Sequence, residues 1–170
     1  MPVSAANLKF YLSGGAGNTN PNASLGGVRS TTEVAATINN LWDDVTGSES
    51  TSGSTEYRCC YFRNEDSNAT GLLSPFLWVA SNTPSSTTTM SIGLDPAGKN
   101  GEATTIANEL AAPAGVSFTS PSTKGTGIAL TSGPYVQNDY IAIWLQRAVS
   151  SGTSSATNDP STLRIEGDTI

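Results

Sequence analysis

The sequence predicts an all-β chain, an antiparallel β-sandwich of immunoglobulin-like or jelly-roll type with at most one or two short helices. Three observations carry this. Roughly seven to nine short segments alternate apolar and polar residues, at roughly 10–20-residue spacing. Gly, Pro, Asn and Asp punctuate the intervals between them. Long helical segments are absent, so a parallel βαβ architecture is not expected.

The first strand is Leu8 to Leu12, with Leu8, Phe10 and Leu12 on one face. It runs into Ser13-Gly14-Gly15-Ala16-Gly17 and a long turn ending at Gly26-Gly27. These glycines fit neither G-x-G-x-x-G nor a G-K-[ST] phosphate loop, so the segment reads as a connection. Asn39 to Val45, NNLWDDV, is the best helical segment, because Leu41, Trp42 and Val45 can meet on one side of a turn. Asp43 and Asp44 within it read as solvated carboxylates rather than a metal site. Gly47 to Ser54 reads as a polar loop.

Glu56 to Arg63, EYRCCYFR, is a strong strand with Tyr57, Cys59 and Tyr61 on one face and Arg58, Cys60 and Phe62 on the other. Neighbouring strand residues point to opposite faces, so Cys59 and Cys60 are expected to stay reduced rather than pair. One thiol is expected inside the sandwich and the other at the opposite face or an interface. NEDSNATG turns the chain. Leu77 to Ala80 and Thr87 to Leu94 are further strands, the second placing Met90, Ile92 and Leu94 on one face. Asp95 to Gly101 reads as a dense turn that lacks the spaced ligands and closing Glu of a calcium loop. The periodicity of Thr104 to Leu110 does not decide between a strand and a helical turn. Val116 to Thr119 and Gly127 to Leu130 are short extended pieces. Tyr140 to Val149, YIAIWLQRAV, is the most hydrophobic strand. Both of its faces are apolar through the middle, so Trp144 is expected to be covered. Ser150 to Pro160 is a polar loop and Thr162 to Glu166 the last strand. The whole, residues 1–170, reads as one domain, with residues 1–7 a segment able to extend and order against a neighbour.

Composition bounds function. Only 13% of the 170 residues are charged, against about 25% in ordinary domains, and 36% are hydrophobic. Eight Lys and Arg face fourteen Asp and Glu, a net charge of -6. The cations are scattered, so neither nucleic acid nor an anionic membrane is an expected partner. There is no His, which removes the commonest general base and zinc ligand. No pair among the carboxylates is singled out for glycoside hydrolysis. The N-terminus, MPVSAANLKF, lacks a basic stretch followed by an apolar one, and folding in a reducing cytosol is expected. No catalytic, cofactor-binding or metal-binding residue is predicted, and no cofactor.

The order of motifs carries a resemblance. LKFYLSGGAGNTNPNASLGG is followed by NNLWDDVTGSES and TEYRCCYFRNE; then Gly133-Pro134-Tyr135 precedes Asp139-Tyr140, IAIWLQRAV, a polar loop and STLRIEGDT. Across most of its length the chain resembles bacteriophage virion structural proteins, and its compact acidic form is similar to small capsid decoration (cement) proteins. The resemblance implies a non-enzymatic protein on the exterior of the virion, made in the host cytoplasm. It implies the major capsid protein and further copies of the chain as partners, in a homo-oligomer on the capsid. The alternative is a tail-associated receptor- or carbohydrate-binding β-sandwich, for which Trp42, Trp78, Tyr57 and Tyr135 are the candidate contact aromatics.

Overall fold

A computed structural model describes residues 2–37, 39–152 and 159–170. Seven strands form two antiparallel sheets, with one short α-helix and three single 3₁₀ turns, among the described residues. The predicted all-β sandwich is therefore the observed class. The larger sheet has the order β1 (Leu8–Leu12), β2 (Ser54–Asn64), β6 (Tyr140–Val149), β4 (Thr88–Lys99); the smaller has β5 (Ile128–Ala129), β3 (Leu73–Ser81), β7 (Thr162–Asp168). Part of the predicted 150–160 loop lies outside the described residues.

The period-two alternation divides each strand of the larger sheet between two cores. Toward the smaller sheet point Leu12, Cys60, Phe62, Met90, Ile92, Ile141, Ile143 and Leu145, which meet Leu77 and Val79 of β3 and the half-buried Leu163 and Ile165 of β7. On the far face Tyr11, Tyr57, Cys59, Tyr61, Ala142 and Trp144 form a second core. No sheet covers that face. Two long connections do, through Leu25 from the first and Ala103, Ile106, Ala111, Val116 and Phe118 from the second. The molecule thus has three layers, and this is why the middle of YIAIWLQRAV is apolar on both faces.

The covering connections are tied to the sheet and to each other by backbone bonds. Cys59 N–H donates to Ser24 O and Tyr57 N–H to Glu109 O, extending the ladder along β2 past the end of β1. Ile106 N–H donates to Leu25 O where the two connections cross. The crossing requires a glycine at 26: its φ is +89°, and a Cβ there would lie 1.8 Å from Thr104 O. The undecided Thr104–Leu110 segment is neither strand nor helix but this irregular cover, with a turn near its end.

Four other expectations are corrected. NNLWDDV is not helical among its described residues. Asn39 has a φ of +55°, Leu41 is drawn into the inter-sheet core, and Trp42 packs against it. The helix, α1, is instead Gly47–Ser52, in the stretch read as a polar loop. Thr46 caps it, accepting from Glu49 N–H while the Glu49 carboxylate accepts from Thr46 N–H, a reciprocal pairing that needs no apolar face. The turn predicted from Asp95 largely belongs to β4, which continues irregularly to Lys99 before reversing at Asn100-Gly101. The strand predicted at Leu77 begins earlier, at Leu73, past a register shift that includes Ser74 at a φ of +42°.

Candidate interaction surface

The four aromatics proposed for a binding platform are spread through the packing. Tyr135 is fully buried in the inter-sheet core, and Tyr57 lies in the second core against Phe118. Trp78, on the outward face of β3, is 5% exposed, with the Arg164 guanidinium 5.6 Å from its ring centre. Trp42 is half-buried between two guanidiniums, those of Arg147 at 5.0 Å and Arg58 at 5.4 Å. They share no face on which a sugar ring could stack.

The guanidiniums beside Trp42 belong to a buried ionic cluster. Glu56 and Arg147, on adjacent strands, pair through Arg147 Nε and Nη2 to Glu56 Oε2, the Nε distance being 2.8 Å. Arg147 Nη1 also donates to the main-chain oxygen of Asp43 at 2.6 Å, and Nη2 lies 3.4 Å from the Asp43 carboxylate. Arg58, with no exposed surface, pairs with Glu109 of the second connection. The Asp43 carboxylate, 49% exposed, thus lies beside an arginine at the edge of the cluster. Among the described residues no group of three or more His, Cys, Asp or Glu is placed to hold a metal ion. Burial pushes the Glu56 carboxyl above its ordinary range, a hydrogen bond with Glu49 adds to this, and Arg147 opposes it. Glu49 moves the other way, held low chiefly by that same bond.

The polar connections are ordered by a device the sequence analysis missed. Asn64 Oδ1 accepts from Asp66 N–H, Asp66 Oδ1 from Asn68 N–H, and Asn68 Oδ1 from Thr70 N–H, a run of three Asx turns at spacing two. Asn18, Asn20 and Asn22 repeat it with two. The signal was present as N-x-D-x-N-x-T and N-x-N-x-N. Asp66 Oδ2 also accepts from Ser4 N–H and Asn7 Nδ2, fastening residues 4–7 of the N-terminal segment to this run. These bonds hold the Asp66 carboxyl below its ordinary range. These two polar connections thus satisfy much of their own backbone through Asn and Asp side chains.

Cys59 and Cys60 are both free and both buried, one in each core. The opposite-face expectation holds. Burial pushes the Cys60 thiol up to about 12 and Cys59 well above its ordinary value. Only a thiolate reacts readily, so iodoacetamide is expected to leave both thiols unmodified in the native protein and to label both after denaturation. A native mass increase of one label would place a cysteine at the surface.

Two concavities stand out. A groove of about 440 Å³ lies between the start of β3 and the 129–134 connection, with Leu73, Pro75, Phe76, Leu130 and Pro134 among its lining. A smaller one of about 140 Å³ lies between Arg29 and Glu102, over the Tyr61 and Tyr140 rings. The lining of the first includes no acidic or basic side chain, and the second sets Arg29 and Glu102 beside the two tyrosines. Compared with protein-family models, curated proteins and solved structures, the chain finds no match.

Proposed function

We propose that the chain is a non-enzymatic structural protein of a bacteriophage particle, a head decoration protein that binds the outer face of the capsid and stabilises it. The resemblance of its ordered motifs to virion proteins supports the reading. The observation that carries it over the receptor- or carbohydrate-binding alternative is the placement of the aromatics. Tyr57, Trp78 and Tyr135 are committed to packing, which leaves a surface rich in Ser, Thr and Asn. Such a surface makes many hydrogen bonds to a neighbour while staying soluble when free. A lattice multiplies modest contacts through effective concentration, so one copy needs no large interface. The acidic charge suits the outside of the shell, away from packaged DNA.

The test is addition of the purified protein to expanded capsids that lack it. It is expected to co-sediment with them and to remain bound in moderate salt, because a weakly charged interface has little long-range attraction to screen. Decorated particles are expected to rupture at a higher temperature than bare ones, since a ligand stabilises the state it binds. Binding confined to tails, or to glycans without capsids, would overturn the assignment.

A further inference from the structure

The long sheet edges are treated unequally. The outer edge of β1 is closed by its own chain, with Leu12 N–H donating to Thr32 O and Val34 N–H to Phe10 O. The outer edge of β4 is closed by Thr119, which exchanges both backbone bonds with Ile92, and by the Asn82 side-chain amide, which donates to Met90 O and accepts from Met90 N–H. β5 is only two residues long. The seven-residue β7 is different. It pairs with β3 on one side, and among the described residues no backbone group pairs with its other side. Its core-side residues Leu163 and Ile165 remain half-buried at the rim of the inter-sheet core. An open edge with apolar side chains along its rim is a template for one more strand.

We propose that the strand that completes this edge is β7 of a second copy, antiparallel about a twofold axis through Ile165. The sequence Thr-Leu-Arg-Ile-Glu-Gly-Asp is complementary to its own reverse in this register. Arg164 then faces Glu166 of the other copy twice, Ile165 faces itself, and Leu163 faces Gly167, over which Leu72 of that same copy packs. Centring the axis on Arg164 or on Glu166 would set like charges directly opposite, which is unfavourable. Centring it between two residues would turn core-side residues outward. The charges are exposed but already paired within each copy, so the contact exchanges partners rather than finding free ones. Arg164 and Glu166 lie on the outward face 3.3 Å apart within one copy, where Arg164 also covers Trp78, and Lys124 reaches Glu166 at 3.2 Å and Asp168 at 3.7 Å. Pairing would join the two smaller sheets into one of six strands, with Leu163 and Ile165 of both copies covered. Such an isologous contact closes on itself and makes a dimer rather than a fibre. It gives the self-contacts of the preceding proposal a location and does not depend on a capsid.

Sedimentation of the purified chain at micromolar concentration tests this. The wild type is expected at twice the 17.5 kDa chain mass. Arg164→Glu, which opposes Glu to Glu166, is expected to shift it to the monomer mass, and the exchange Arg164→Glu/Glu166→Arg to restore the dimer. Thermal melts of each variant show that the fold is retained. An Ile165→Cys variant is expected to form an intermolecular disulfide under mild oxidation. Should a charge variant fail to fold, the wild-type mass and the Ile165→Cys link decide. A monomeric wild type, a dimer unchanged by Arg164→Glu, or an Ile165→Cys chain that does not cross-link would overturn the inference. A dimer that binds no capsid would overturn the decoration reading and leave this one standing.

Discussion

Replacing Trp144 with Ala is expected to cost about 3–5 kcal/mol of folding stability, the range for removing a large buried aromatic. The ring has no exposed surface and sits mid-strand, opposite Cys59 of β2 on one side and Gly93 of β4 on the other. Its indole N–H donates to Asp95 Oδ2 at 2.9 Å, and the same carboxylate accepts from Thr104 N–H and Ala97 N–H. Truncation therefore opens a cavity beneath the covering connections and removes one donor from a buried acid. Trp144→Phe separates the two effects. It keeps an aromatic ring and loses the donor, and hydrogen bonds to charged groups are worth about 1.5–3 kcal/mol. A domain holds about 5–15 kcal/mol in total, so the Ala variant is expected to melt many degrees below the wild type. Melting within a degree or two of it would show that the outer core contributes nothing.

The second large effect is expected at Arg147. Arg147→Met leaves Glu56, itself 1% exposed, without its cation and should cost about 3–5 kcal/mol at neutral pH. The penalty has a predictable pH dependence. The folded Glu56 carboxyl already lies above its ordinary 4.5 because of burial and Glu49, with Arg147 opposing. A group whose pKa is raised by folding favours the folded state fully below its unfolded value and loses that advantage as pH rises through the folded one. Removing Arg147 raises the folded value further. The variant's deficit relative to wild type should thus be smallest below pH 4.5 and grow toward neutrality, as read from urea midpoints across that range. Glu56→Leu/Arg147→Met, with neither charge, should recover most of the loss. A deficit independent of pH would show that Arg147 acts through Trp42 and the Asp43 main-chain oxygen rather than through the Glu56 charge.

The parts of the fold legible in the sequence were those in which side chains face a core at period two. EYRCCYFR and YIAIWLQRAV showed their faces, and the two cysteines divide as the alternation requires. What alternation does not report is what covers a face. The sequence showed that Trp144 would be buried, yet the cover comes from irregular connections whose residues, Leu25, Ala103, Ile106 and Phe118, follow no period. The helix was missed because its signal is a cap, Thr46 with Glu49, in a stretch with nothing apolar to mark it. NNLWDDV misled for the opposite reason. Its apolar residues fit one side of a helical turn, but Trp42 is claimed by two arginines outside the segment, one of them, Arg147, far away in the chain. The same distance hid the Glu56–Arg147 pair, whose members are 91 positions apart. The aromatics could be counted in the sequence but not sorted into exposed and packed, and the edge of β7 that is unpaired among the described residues is a property of the assembled sheet.

The position of β6 has a consequence for how the protein comes to be made. It lies in the middle of the larger sheet, holding β2 on one side and β4 on the other, yet it follows both by tens of residues. On a growing chain β1 and β2 can pair, but β4 has no neighbour in its sheet and β2 keeps one side bare until residue 149 has left the ribosome. Most of the fold must then form at once, by contacts distant in sequence, which is the regime of slow folding. During that interval the apolar strands are exposed to one another on different chains. Synthesis in quantity should therefore be limited by the yield of this closing step more than by the stability of the finished sandwich, and slower translation should not help, because no earlier pause lets the larger sheet complete itself.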